Sequence, residues 1–234
     1  MQAKHLSALS VNSLKMLRAM VSIGLICALI IVLTYQGTQS RIARLKAEAL
    51  EKAIFRVIPE MITKKIFQID LNGQLVETTA ETSGVTRIYA GYDENGKLAG
   101  IAVEASGIGF AGALRVLYGY DPGKQVITGL HVLESKETPG LGDKIEKDAD
   151  FLANFAALDV SLNDDFSTPR NTITTVKAGH KKNPWEVDGI TGATISSRAI
   201  GHILAASTRQ MVPLIFKNKS ILEKSGTTAY VNPD

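Results

Sequence analysis

Ala113-Leu-Arg-Val-Leu-Tyr-Gly-Tyr120, then Asp121-Pro122-Gly123, then Gln125-Val-Ile-Thr-Gly-Leu-His-Val-Leu133 is the stretch that decides the fold class. Two runs rich in β-branched and aromatic residues flank a turn signal, which reads as a β-hairpin. The pattern recurs upstream. Arg87–Tyr92 and Lys97–Glu104 flank Asn95-Gly96, and Lys65–Leu71 leads into Asn72-Gly73. Asn-Gly is a strong two-residue hairpin signal because both turn positions need positive φ. Consecutive hairpins predict an antiparallel sheet. Helical periodicity follows the strands. Ala149–Leu158 places Phe151, Leu152 and Phe155 on one face. A longer pattern from Thr194 to Phe216 carries Ile195, Ala199, Ile200, Ile203, Leu204, Ser207 and Met211. The expectation is an α+β domain with helices packed on an antiparallel sheet.

The chain before the sheet is of another kind. Ala19 to Ser40 contains no charged residue, and Met20–Leu33 is its apolar heart. A helix of about 20 residues crosses a bilayer. The segment is therefore read as a single N-terminal transmembrane helix, with Cys27 as a small apolar residue within it. No clear small-x-small cleavage site follows Leu33, which argues against a signal peptide. Arg41–Phe55 continues in helical register through Ile42, Leu45, Ala49, Leu50 and Ala53, and Pro59 stops it. The expected layout is an N-terminal tail (1–18), the transmembrane helix (19–40), a linker helix (41–60), a globular domain (61–216) and a loose polar tail (217–234). Lys4, Lys15 and Arg18 before the span nearly balance Arg41, Arg44 and Lys46 after it. The short tail favours a cytoplasmic N-terminus and an extracytoplasmic domain.

Among 234 residues the net charge is +3, too small an excess to imply nucleic-acid binding. The one cysteine forms no intramolecular disulfide, and the four histidines lack zinc-ligand spacing. Gly107-Ile-Gly109-Phe-Ala-Gly112 is no dinucleotide fingerprint, because a hairpin follows it and not a helix. Its glycines permit a close approach, either of another segment or of a flat ligand.

Two segments carry candidate chemistry. Asp188-Gly-Ile-Thr191-Gly192-Ala193-Thr194-Ile195-Ser196-Ser197 puts small residues and hydroxyls at the start of the longest helical pattern. A helix N-terminus offers unpaired N–H groups and the positive end of the dipole, a natural seat for a phosphate. Thr194 reads as an attachment hydroxyl or as a plain N-cap, with Thr191 and Ser196 as rival hydroxyls. Asp188 either caps a turn or holds a metal during phosphate transfer. Arg198 either reaches a phosphate or is a solvated helix charge. Glu134–Asp143, which includes Glu137, Thr138, Pro139, Gly140, Leu141 and Gly142, reads as an irregular loop. It is either surface or a lid over an aromatic ring.

These two motifs, in this order behind one anchor, resemble the FMN-binding domain family. The family includes the G subunit of the Rnf electron transport complex and the C subunit of the sodium-pumping NADH:quinone reductase. Thr191-Gly-Ala-Thr194, with Asp188 three residues earlier, is similar to the family's flavinylation motif, though Thr191 stands where Ser is common. Glu137-Thr-Pro-Gly-Leu-Gly142 is similar to its loop motif. Chain length, Lys144-Ile145 and Arg198-Ala199 fit the Rnf subunit better.

The resemblance implies FMN esterified to the Thr194 side chain by a flavin transferase that uses FAD and Mg²⁺. The surrounding contacts would come from Asp188, Thr191, Gly192, Ala193, Ile195, Ser196, Arg198, Glu137, Thr138, Gly140, Leu141 and Gly142. It also implies a redox relay among other membrane subunits of an Rnf complex, which couples ferredoxin:NAD⁺ oxidoreduction to ion movement at the inner membrane. No independent catalytic residue pair is expected. Two other readings stand beside it: a sensory flavin domain and a non-redox structural subunit.

Overall fold

The structure, a computed structural model, describes residues 2–70, 73–78 and 87–228, and the side chains of residues 13–70, 73–78 and 87–226. Helix α1 runs Gln2–Val57 without interruption. Residues up to Ala49 form one unit and the globular unit begins at Leu50. Within α1 lies the one helix among the described residues long and apolar enough to cross a membrane, and its apolar window is wholly exposed. The helix stops two residues before Pro59, as expected from the clash between a proline ring and a helical residue before it.

Seven strands form one antiparallel sheet: β1 (Thr63–Ile69), β2 (Leu75–Glu77), β3 (Arg87–Tyr92), β4 (Leu98–Ile108), β5 (Ala113–Asp121), β6 (Val126–Glu134) and β7 (Leu158–Asp159). Their order is β2-β1-β3-β4-β5-β6-β7. The antiparallel sheet and its covering helices match the expected class. Leu71 and Asn72, where the first hairpin turn was expected, lie outside the described residues. Gly96 takes φ 73° in the second turn. The third turn is wider than Asp121-Pro-Gly alone. The Asp121 carboxylate accepts from the Gly123 and Lys124 amides, and Gln125 takes the left-handed conformation before β6 resumes.

Both faces of the sheet are covered. One face carries Ile88, Ala90, Tyr92, Ile101, Val103, Val116, Tyr118 and Tyr120. Against it packs helix α3 (Thr194–Lys217), through Ile200, Ile203, Leu204, Met211 and Ile215. The other face carries Tyr89, Ala102 and Leu117 and receives Ala53, Ile54, Val57, Ile58 and Met61. That second contact is close because four glycines lie under it. Gly91 faces Gly100 and Gly119 faces Gly129 across the strands. A Cβ at Gly119 would strike the Val57 carbonyl, one at Gly91 the Met61 side chain. The Thr128 hydroxyl donates to that Val57 carbonyl at 3.0 Å, fixing the helix end.

Four features depart from expectation. Helix α2 spans Ala149–Ala153, not through Leu158. Leu158 and Asp159 instead pair with Ile127 and Val126 at the sheet edge, and an extended pairing is incompatible with helix continuing through Leu158. The loop after β6 is not irregular throughout, since Gly142–Glu146 forms a 3-10 turn that buries Ile145. Strands β8 (Thr174–Val176) and β9 (Glu186–Asp188) pair in parallel, a pairing too short to leave a periodic signal. The segment after Lys217 is not loose: Lys219–Thr228 is helix α4. Leu222 is fully buried there, and its carbonyl accepts from the Tyr92 hydroxyl at 2.8 Å. Ile221 and Leu222 are the only large apolar residues in this ten-residue helix, a weak sequence signal, and the tertiary contact supplies the rest.

Leu222→Ala should destabilise the globular unit by about 2–5 kcal/mol, the usual cost of emptying a buried leucine site. Chemical denaturation of the full chain in detergent measures it; a loose tail would give no change.

Candidate functional site

The site begins where α3 begins. A turn at Ile190–Ala193 precedes the helix, closed by the Ala193 amide donating to the Ile190 carbonyl at 3.1 Å. Gly192 takes φ 85°, which glycine adopts without strain. Ser197 holds the turn from within the helix. Its buried hydroxyl accepts from the Ile190 amide at 3.1 Å and donates to the Ala193 carbonyl at 2.9 Å. Ala193 is therefore the N-cap, and no side chain caps the helix. The N-cap reading of Thr194 does not hold: Thr194 is the first helical residue. Its side chain is exposed, and its hydroxyl makes no hydrogen bond among the described residues. The amides of the first turn, from Thr194 to Ser196, have no acceptor within the helix. An uncapped helix end with a free hydroxyl beside it is suited to an anion or a phosphate ester.

The second wall is the loop after β6. The Thr138 carbonyl accepts from the Leu141 and Gly142 amides at 3.1 and 3.0 Å. Gly140 takes φ 79°, and its amide donates to Asp143 at 2.7 Å. Lys147 donates to the same carboxylate at 2.7 Å and holds the Asp143 carboxyl below its ordinary range. These bonds leave Leu141 projecting into solvent, 55% exposed. Glu137 goes the other way and is buried.

The third wall is the β4–β5 turn. The Gly109 amide donates to the Gly112 carbonyl at 2.7 Å. Phe110, at the tip, is 67% exposed. An aromatic side chain so open to water beside a cleft is a candidate binding contact.

Together the walls enclose a cleft of about 310 Å³, lined by Phe110, Glu137, Thr138, Leu141, Gly142 and the first residues of α3 from Gly192 to Ser196. Its rim is apolar at Phe110, Leu141 and Ile195, the last 56% exposed. The structure thus brings together Glu137, Thr138, Leu141, Gly142, Gly192, Ala193, Thr194, Ile195 and Ser196. It does not bring Gly140, Thr191, Asp188 or Arg198 to the cleft lining. Asp188 caps a turn: its carboxylate accepts from the Gly179 and His180 amides at 2.8 and 3.1 Å. Its backbone is tied to the Asn154 side chain. Arg198 is exposed on the helix. Phe110 was not among the expected site residues, although its glycine-flanked position already signalled a close approach.

An FMN-binding domain model matches residues 109–207, which contain every residue of the cleft. The chain is 31% identical over 186 residues to the G subunit of the ion-translocating oxidoreductase complex of Methanosarcina acetivorans, covering 80% of this chain and 87% of that one. The chain belongs to this G-subunit family. The corresponding G subunit of Escherichia coli is 32% identical over 168 residues, covering 70% of this chain and 74% of that protein. The fold is that of the C subunit of the Na⁺-translocating NADH-quinone reductase from Parabacteroides distasonis, at TM-score 0.57 and 23% identity over 74% of this chain and 96% of that one. NqrC of Shewanella oneidensis is similar at TM-score 0.55 and 14% identity, over 80% and 99% of the two chains. As in other members of the G-subunit family, the work is that of a redox subunit.

The position of Asp188 carries a testable consequence. Asp188→Ala should release the loop that holds Lys177, Lys181 and Lys182. Limited trypsin digestion should then cut there sooner than in the parent chain, while Thr194→Ala leaves the cleavage pattern unchanged.

Proposed function

We propose that this subunit carries FMN as a phosphoester on Thr194 and relays electrons between neighbouring subunits of an ion-translocating oxidoreductase complex. One observation carries the proposal: an exposed, unbonded hydroxyl stands at the first turn of a long helix that no side chain caps. FMN supplies one- and two-electron transfer at its isoalloxazine ring. The protein supplies position. The first-turn amides of α3 favour negative charge at the attachment point. Ala193 and Gly192 keep the approach to Thr194 free of bulk. Phe110, Leu141 and Ile195 offer apolar surface for a flat ring and exclude water from it.

Covalent attachment suits a domain outside the cytoplasm, where a flavin that dissociated would be lost. We place residues 1–18 on the cytoplasmic side, residues 19–40 across the membrane and residues 61–216 beyond it. The one helix among the described residues that is long and apolar enough to cross a membrane supports the membrane-spanning part of this layout. A flavin transferase that uses FAD and Mg²⁺ would complete maturation, reading the segment from Asp188 to Thr194. In that segment Asp188 keeps the loop before β9 in shape.

Mass spectrometry of the chain purified from its own membranes tests the reading. The tryptic peptide Asn183–Arg198 should carry an FMN phosphoester on Thr194. Thr194→Ala should remove covalent flavin fluorescence from a denaturing gel and cost under ~1 kcal/mol in stability, since no cap is lost. Thr194→Ser should retain part of the attachment. An unmodified peptide in a host that flavinylates other proteins would favour the structural-subunit reading.

A further inference from the structure

Glu137 is the one acidic residue lining the cleft, and it is buried beside the helix end. Its Oε1 accepts from the Phe110 amide at 2.7 Å and the Ala111 amide at 3.1 Å. Its Oε2 accepts from the Ser196 hydroxyl at 2.6 Å. Three of about four acceptor positions of the carboxylate are thereby used. The donors belong to two different walls: the tip of the β4–β5 turn and the first turn of α3. Two neighbouring glycines make room for this side chain. A Cβ at Gly109 would strike Oε1, and one at Gly142 would strike Oε2.

A buried carboxylate is costly unless its charge is answered. Here two amides, a hydroxyl and the positive end of α3 answer it. A group so fully engaged by protein donors is poorly placed to serve as a ligand itself.

We propose that Glu137 is a positioning residue, a clamp that fixes the Phe110 wall of the cleft against the Thr194 wall and so sets the gap into which the flat ring fits. The proposal rests on the flavin reading of the cleft. It changes the part expected of Glu137, from touching the cofactor to spacing the walls that do. Glutamine can replace it, because its carbonyl can accept from both amides while its NH₂ donates to the Ser196 hydroxyl. Alanine cannot.

The test uses the full chain, made with its flavin transferase, as Glu137→Ala, Glu137→Gln and Ser196→Ala. Two readouts are taken on folded protein: amide hydrogen exchange, and iodide quenching of the flavin fluorescence. Glu137→Ala should speed exchange at Phe110 and Ala111 by roughly tenfold or more, the scale set by losing hydrogen bonds to a charged acceptor. Strand β4 and β5 amides nearer the centre should keep their protection. Quenching should rise toward that of free FMN. Glu137→Gln should match the parent in both readouts. Lowered thermal stability alone would not distinguish a clamp from ordinary packing, and these readouts do.

Parent-like exchange and quenching in Glu137→Ala overturn the clamp. So does Glu137→Gln behaving like Glu137→Ala, which would assign the effect to charge. If Glu137→Ala does not fold, Ser196→Ala decides, since it cuts one arm only. A rise in quenching supports the clamp and none overturns it. If the parent chain carries no flavin, the flavin reading fails by itself, and exchange at Phe110 and Ala111 still decides whether the clamp exists.

Discussion

The docking of α3 across the sheet is the constraint on which the rest depends. Its apolar stripe is buried against β4 and its neighbours. Gly107 sets how closely it lies on the sheet, because a Cβ there would strike Ile203, and Gly201 sets its approach to β8, where a Cβ would strike Thr175. With the helix held there, its N-terminus must emerge beside the β4–β5 turn and the loop after β6. The site is thus a consequence of packing: three chain segments far apart in sequence meet where one buried helix reaches solvent.

What makes that meeting useful is a division of labour between adjacent serines. Ser197 points inward and holds the turn before the helix. Ser196 points sideways to Glu137. Neither is free to cap, and Thr194 stands clear of both. The helix end stays electrostatically open while its geometry is held by neighbours. An N-cap hydroxyl would stabilise the helix by about 1 kcal/mol and also close the anion seat. Leaving the cap out is consistent with a site that binds.

The exposed apolar rim makes the same point from another direction. Phe110, Leu141 and Ile195 are each more than half exposed, and the amides of Phe110 and Leu141 are hydrogen-bonded. Large apolar side chains exposed around a cleft are a common mark of a binding surface.

Much of this was legible in the sequence because the signals were local. Turn residues between β-rich runs specified the antiparallel sheet, an uncharged apolar run specified the membrane-length helix, and the spacing of Thr191, Gly192, Ala193 and Thr194 pointed to the helix end that matters. Other features depend on residues distant in sequence. Nothing near Glu137 announces that its partners are Phe110, Ala111 and Ser196. Helix α4 is polar apart from a few positions, and its order depends on Leu222 meeting Tyr92. Asp188 carries a motif position, yet its carboxylate is engaged by a loop that only the β8–β9 pairing brings near. Backbone propensity and periodicity act over a few residues, so the sequence by itself determined the elements and the helix end at which to look for a site. Hydrogen bonds and packing between distant segments exist only once the chain has folded, and they alone decided which side chains face the cleft and which hold its walls.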